Sequence, residues 1–209
     1  MPIIVTVLTV FALLLINEIW WRKKHTPNEV SRKFVHITVG SFVAFWPFFL
    51  DWNEIKLLSI AFIAVVLLSK RLRLFKAIHS VQRPTHGELF FALAVGAVAL
   101  ISEDKYIYMA AILQMSLADG LAAIIGTRYG NSNRYTVFGH TKSLYGSATF
   151  FVISLAIVAV FTQLSGTDLS ILAMIGIASV AGFIENVGVE GLDNLLVPVV
   201  VAAALFALS

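Results

Sequence analysis

"SLADGLAAIIGTRYGNSNRYTVFGHTKSLYGS", residues 116–147, decides how the rest of this chain is read. It begins as the end of an apolar helix and places Asp119 at membrane depth. It leaves as a polar stretch in which Arg128, Arg134 and Lys142 are spaced among Gly126, Gly130, Gly139 and Gly146. A carboxylate in a membrane helix is costly and normally faces a cavity, a cation or a partner. The surrounding chain therefore has to say whether this helix lies in a membrane.

Of 209 residues, 59% are hydrophobic and 13% charged, with a mean hydropathy of +0.89. A soluble domain carries roughly 25% charged residues. Eight apolar segments run at roughly 2–21, 34–50, 55–69, 88–102, 106–125, 144–164, 169–186 and 194–208, separated by short polar connections. They predict an all-α polytopic membrane protein of about eight transmembrane helices. No linker, repeat or low-complexity tract divides the chain, so 1–209 is read as a single integral membrane domain. The absence of cysteine excludes a disulfide framework, a thiolate metal site and a Cys nucleophile.

Charge placement predicts the topology. The first segment has no basic residue before it and Arg22, Lys23 and Lys24 after it. That polarity is wrong for a cleaved signal peptide and predicts a membrane helix with its N-terminus outside. The connections 22–33, 70–87 and 126–143 hold 13 of the 15 Lys and Arg residues; only Lys56 and Lys105 fall on the alternate side. The basic side is expected to be cytoplasmic, in a prokaryotic plasma membrane, and the connection 185–193 falls there as well. The partners expected are membrane lipids and small molecules, with no nucleic acid.

Four places on that face carry candidate chemistry. In the opening stretch, Ala122, Gly126 and Gly130 repeat on the face of Asp119, a spacing suited to helix packing and to close backbone approach by a ligand. The following loop supplies Thr141, Lys142, Ser143 and Gly146. Phosphate groups call for backbone N–H donors, a cation and hydroxyls of this kind. The Walker A spacing is absent. With an acid at the loop's entrance, a nucleotide–Mg²⁺ site is expected, Asp119 holding the metal.

The second place is "EVSRKFVHITVG" (29–40), where Arg32 and Lys33 are expected just before the second helix and His36 one turn inside it. The pair suits a triphosphate; topology-setting charge and a satisfied histidine suit the same residues. The third is "QRPTHGELFF" (82–91). Thr85 and Glu88 match a capping box, and Glu88 equally suits metal or substrate, with Arg83 and His86 as interfacial residues or ligands. Upstream, "KRLRLFKAIH" reads as an amphipathic segment on anionic headgroups. The fourth, "FIENVGVEGLDNLLVP" (183–198), gathers Glu185, Glu190, Asp193 and Asn194. Asp193 can N-cap the last helix, yet three acids without a Lys or Arg suit Mg²⁺ or a hydroxyl substrate better than topology.

At these four places the chain resembles the polyprenol kinase family, which includes dolichol kinases, phytol and farnesol kinases and the fungal CTP-dependent diacylglycerol kinase. The family motif, an Asp followed by Ala, two spaced glycines, a Lys-Ser/Thr pair and a further Gly, is matched by Asp119, Ala122, Gly126, Gly130, Lys142-Ser143 and Gly146. The phytol kinase branch is similar at "SRKFVH", "GELFFALAVG" and "GLDNLLVP". The resemblance spans about residues 29–208. It implies transfer of the γ-phosphoryl group of CTP to an isoprenoid alcohol, with Mg²⁺. It further implies Asp119 with Glu185 or Asp193 on the metal, and Lys142, Arg32 and Lys33 on phosphates with Thr141, Ser143 and the glycines around them. His36, Arg83, His86, Asp193 and Asn194 would line substrate or support the site. Asp119, Glu88 and Glu185 all remain candidates for the base. Two rivals use similar groups: a cytidylyltransferase joining CTP to a lipid phosphate, and a small transporter with intramembrane acids as ion ligands.

Overall fold

The structure is a computed structural model that describes residues 2–24, 28–72 and 86–209. Eight continuous helices appear among them. They are α1 (Pro2–Lys24), α2 (Asn28–Ala44), α3 (Trp52–Leu72), α4 (Gly87–Ile101), α5, α6 (Leu144–Ser165), α7 (Ile171–Val187) and α8 (Asp193–Leu208). Helix α5 joins Lys105–Leu113 to Asp119–Tyr129 through a wide π turn at Gln114–Ala118. Three spans, Pro2–Trp20, Lys105–Ser132 and Leu144–Ser165, are long and apolar enough to cross a bilayer. Helices α4, α7 and α8 are apolar but shorter.

The apolar window of α5 is mostly buried inside the protein, whereas that of α1 lies almost entirely on its surface. Helices α2, α6 and α8 pack around α5; α4 packs on α3 and α8, and α7 on α6 and α8. Small side chains let the helices approach closely. A Cβ on Gly40 would strike Ser116, and one on Gly120 would strike Ile37, which brings α2 against α5 at its π turn.

Two expectations are corrected here. The second apolar segment was expected at 34–50, but α2 runs from Asn28 to Ala44. Pro47, which cannot donate to a helix, leaves Trp46–Phe48 as a separate 3₁₀ turn. Arg32 and Lys33 therefore lie inside α2 rather than before it. The all-α architecture stands, and the second correction is local: the stretch read as a loop contains a small β element. Strands β1 (Arg134–Val137) and β2 (His140–Ser143) pair antiparallel there. Phe138 and Gly139 form their two-residue connection, both at positive φ (46° and 79°), as hairpin turns of matching twist require.

At one end of the bundle, Asp104 caps α5 by accepting from the N–H groups of Tyr106 and Ile107, and Lys56 pairs with Glu103 at 2.7 Å. The opposite end gathers the starts of α2, α4, α6 and α8, the ends of α5 and α7, and the hairpin.

Candidate active site

Asp119 follows the π turn and is buried. Lys33 Nζ donates to its Oδ2 at 2.5 Å, and His36 Nε2 lies 3.7 Å from the same oxygen. Lys33 and His36 are three apart on α2, so they share the face turned to α5. His36 Nε2 also donates to the carbonyl of Met115 at 3.0 Å, inside the π turn, which assigns its proton to that nitrogen. Wide turns of this kind recur where a helix presents functional groups.

The second ion pair comes from the hairpin. Lys142 Nζ donates to Glu185 Oε1 at 2.6 Å and to the Glu185 carbonyl at 2.8 Å. Burial works against the Lys142 ammonium, but the facing Glu185 carboxylate, with Asp193 and Asp119 beyond it, prevails and raises its pKa above the ordinary lysine value. It is therefore charged at neutral pH. The two pairs belong to one electrostatic cluster. Asp119 is in the field of Lys142, and Asp193 is in the fields of Asp119, Lys33, Lys142 and Glu185. Each expected metal ligand with a close cation is thus held, in this state, by an expected phosphate ligand.

Several expected residues have other work. Ser143 caps α6, accepting from the Gly146 N–H at 3.1 Å, and is buried against Gly126, Gly130 and Gly146. A Cβ on Gly146 would come within 3.1 Å of the Ala122 carbonyl. These glycines and Ser143 fill one another at the α5–α6 crossing, where the small side chains set how closely the two helices approach. Thr141 is exposed, on the opposite face of β2 from Lys142. Arg32 turns away from Lys33, because neighbours on a helix point about 100° apart. It lines an apolar groove instead.

That groove lies between α1, α2, α3 and α4. Arg32, His36, Glu88 and Asn194 form its polar end. His36 therefore touches both the groove and the charged cluster, and its ring rests edge-on against Phe91, 5.3 Å away, on the groove wall. The third and fourth sequence places meet here. The His86 N–H donates to the Glu190 carbonyl at 3.0 Å, and Asn194 Nδ2 donates to the Gly87 carbonyl at 3.2 Å.

Arg83, Thr85 and most of the amphipathic segment lie outside the described residues. The capping-box expectation is corrected at its other end: His86 occupies the N-cap of α4, without a side-chain cap, and is itself exposed. Asp193 is likewise not a cap. Leu192 holds that position, and Asp193 lies in the first turn of α8, where a negative charge suits the helix dipole. Among the described residues no group of three His, Asp or Glu side chains is arranged to enclose a metal ion.

The sequence reading missed Tyr135 and Asn186. Tyr135 Oη donates to Asn186 Oδ1 at 2.5 Å and contacts Ser147 Oγ at 2.5 Å, fastening the hairpin to α6 and α7. The alternation of "RYTV" and "HTKS" around "FG" was the available signal.

No family model matches the chain, and no solved structure does. Among curated proteins, the chain is similar to the phytol kinase of Synechocystis sp., with 35% identity over 194 residues that make up 90% of this chain and 82% of that protein. It is also similar to probable phytol kinase 2, chloroplastic, of Glycine max (29% over 177 residues, 80% of this chain and 53% of that protein). A third relative is the probable chloroplastic phytol kinase of Zea mays (29% over 186 residues, 80% and 55%). The chain thus spans about half the length of these plant relatives. On the cyanobacterial match, which covers 90% of this chain, the chain belongs to the polyprenol/phytol kinase family.

Proposed function

We propose that the protein is a CTP-dependent lipid-alcohol kinase. It transfers the γ-phosphoryl group of CTP to an isoprenoid alcohol, such as phytol, farnesol, geranylgeraniol or a polyprenol, and yields the monophosphate and CDP. One observation carries this reading: the Lys33–Asp119 pair meets an apolar groove through His36, and the Lys142–Glu185 pair lies in the same electrostatic cluster. A polar nucleotide and a membrane-borne hydroxyl need such a junction. The phytol kinase relatives support the same class of acceptor.

Phosphoryl transfer depends chiefly on positioning and charge neutralisation. Lys33 and Lys142 exchange their carboxylate partners for phosphate oxygens when the nucleotide arrives. Asp119 and Asp193 would hold Mg²⁺, and Glu185, whose charge acts on Asp193, is the third carboxylate of the cluster. Three carboxylates against two ammonium groups suit a hard divalent cation, and Mg²⁺ ordinarily takes one or two carboxylates with phosphate oxygens and water completing its shell. When bound, the ion neutralises charge on the transferring phosphoryl group. Of the three candidate bases, Glu88 is the one on the groove wall. It takes the hydroxyl proton as the new O–P bond forms and the bond from Pγ to the bridging oxygen of CDP breaks.

The site faces the cytoplasm of a prokaryotic plasma membrane, with the chain crossing eight times from an external N-terminus. The gathering of even-numbered helix starts at one end and the placement of 13 of 15 basic residues support this topology.

Purified protein, γ-labelled CTP or ATP, and a panel of phytol, farnesol, geranylgeraniol, undecaprenol and diacylglycerol test the proposal. Label is expected on an isoprenoid alcohol, with CDP as co-product. Pyrophosphate release on a lipid phosphate would make the protein a cytidylyltransferase, and a preference for ATP would overturn the donor.

A further inference from the structure

The groove contains a polar atom that the fold leaves unanswered. Asn194 is 4% exposed and lines the groove, and its Oδ1 has no hydrogen-bond partner. Its Nδ2 donates to the Gly87 carbonyl, which fixes which way the amide is turned. A buried acceptor left without a donor is destabilising, because the water it gave up has not been replaced. It is the natural counterpart of a ligand that brings a donor to the polar end of a channel whose remaining walls are apolar.

We propose that this groove is the seat of the lipid alcohol, that Asn194 Oδ1 accepts the hydrogen bond of its hydroxyl in the resting complex, and that the chain leaves the protein between α1 and α3 past Val65. The inference rests on the kinase reading above and adds the acceptor's place and direction. From Arg32 to Val39 the groove follows two turns of α2, about 10 Å. Its walls there are Val35 and Val39, faced by Leu14 of α1 and Phe62 and Val66 of α3. Val65 also lines the groove but is 51% exposed, so it marks the mouth. The polar end adjoins the charged cluster through His36, which brings the hydroxyl beside the phosphate site while the tail remains in lipid. A hydroxyl is the one donor on such a lipid, and at the polar end Asn194 Oδ1 is an acceptor that the fold leaves unanswered.

Two measurements test the seat. Val65→Trp narrows the mouth, so the ratio of kcat/KM for a twenty-carbon alcohol to that for a ten-carbon one should fall by at least about tenfold. Asn194→Leu should raise the alcohol KM by a similar factor at both lengths and leave the ratio where it is. A ratio unmoved by Val65→Trp would overturn the exit route. Loss that scales with chain length in Asn194→Leu would overturn the role of its oxygen. Separately, an isoprenoid alcohol carrying a diazirine near its tail is cross-linked to the wild-type protein without nucleotide. Adducts on α1 and α3, displaced by phytol, are expected; adducts elsewhere would overturn the groove. Labelling in the groove by a protein that phosphorylates no alcohol would leave the seat standing and remove the kinase reading.

Discussion

Tyr135 and Lys142 face each other across the hairpin and grip consecutive residues at the end of α7, Asn186 and Glu185. Directly opposed residues of an antiparallel pair share one face. The hairpin therefore docks through two adjacent polar contacts, and the position of the Lys142 ammonium depends on a phenol that touches no phosphate. Tyr135→Phe removes the contacts to Asn186 and Ser147 at a stability cost of about 1 kcal/mol per bond. Misplacing a catalytic group by about 1 Å can cost a hundredfold in rate, so turnover should fall at least roughly tenfold, with the alcohol KM little changed. Initial rates at saturating alcohol, beside thermal unfolding in detergent, check this. Full turnover in a destabilised variant would reduce Tyr135 to packing.

The Lys142–Glu185 pair changes what removal of the lysine does. An isolated loop cation would contribute little to folding, but here Glu185 is buried beneath it. Lys142→Met strands that carboxylate, and breaking a buried pair costs about 3–5 kcal/mol; partial exposure of the lysine moves the expectation to the lower end. Glu185→Gln in the same chain should recover most of the stability, because no charge is then left unpaired. It should recover none of the activity. A double-mutant cycle of melting temperature and CDP formation separates the two effects. Recovery of both together would make the pair purely structural.

Much of this was legible in the sequence, and the failures share a cause. The eight helices follow from apolar run lengths, and the residues of the charged cluster were all visible as anomalies in an apolar chain. Sequence did not show which anomaly neutralises which. Lys33 and Asp119 are 86 residues apart, and their pairing depends on the close approach of α2 and α5 allowed by Gly40 and Gly120. Gly126, Gly130 and Ser143 suit a phosphate loop and a tight helix crossing equally well, and their mutual packing at the α5–α6 crossing became visible only in three dimensions. The start of α2 was set too late because polar "EVSRK" hides a helix whose buried face is charged.

Topology gives an independent check. A reporter fused after Arg134 should read as cytoplasmic, and one after Ser165, at the far end of α6, as external. Opposite orientation at both would place the nucleotide site outside, where the proposed donor is scarce. A cytoplasmic signal at both would mean that α6 does not span, and would break the alternation that brings the starts of α2, α4, α6 and α8 to one face.

Asp119→Asn tests the centre of the site. The substitution keeps volume and most hydrogen-bonding capacity but removes the charge that balances buried Lys33. The variant should insert and remain monodisperse, less stable than wild type by a few kcal/mol. Its turnover should fall by orders of magnitude, and added Mg²⁺ should restore little. The stranded ammonium makes a second, less obvious prediction. A triphosphate brings the anion that Lys33 has lost, so CTP without Mg²⁺ should raise the melting temperature of the variant more than that of wild type. Adding Mg²⁺ should strengthen the shift in wild type and hardly alter it in the variant. If Asp119 serves only to tie α2 to α5, Asn can replace the tie, CDP formation at matched folded protein will be comparable, and the response to Mg²⁺ will be the same in both proteins. That outcome would sink the metal assignment and leave Lys33–Asp119 as a helix clamp beside a nucleotide site located elsewhere.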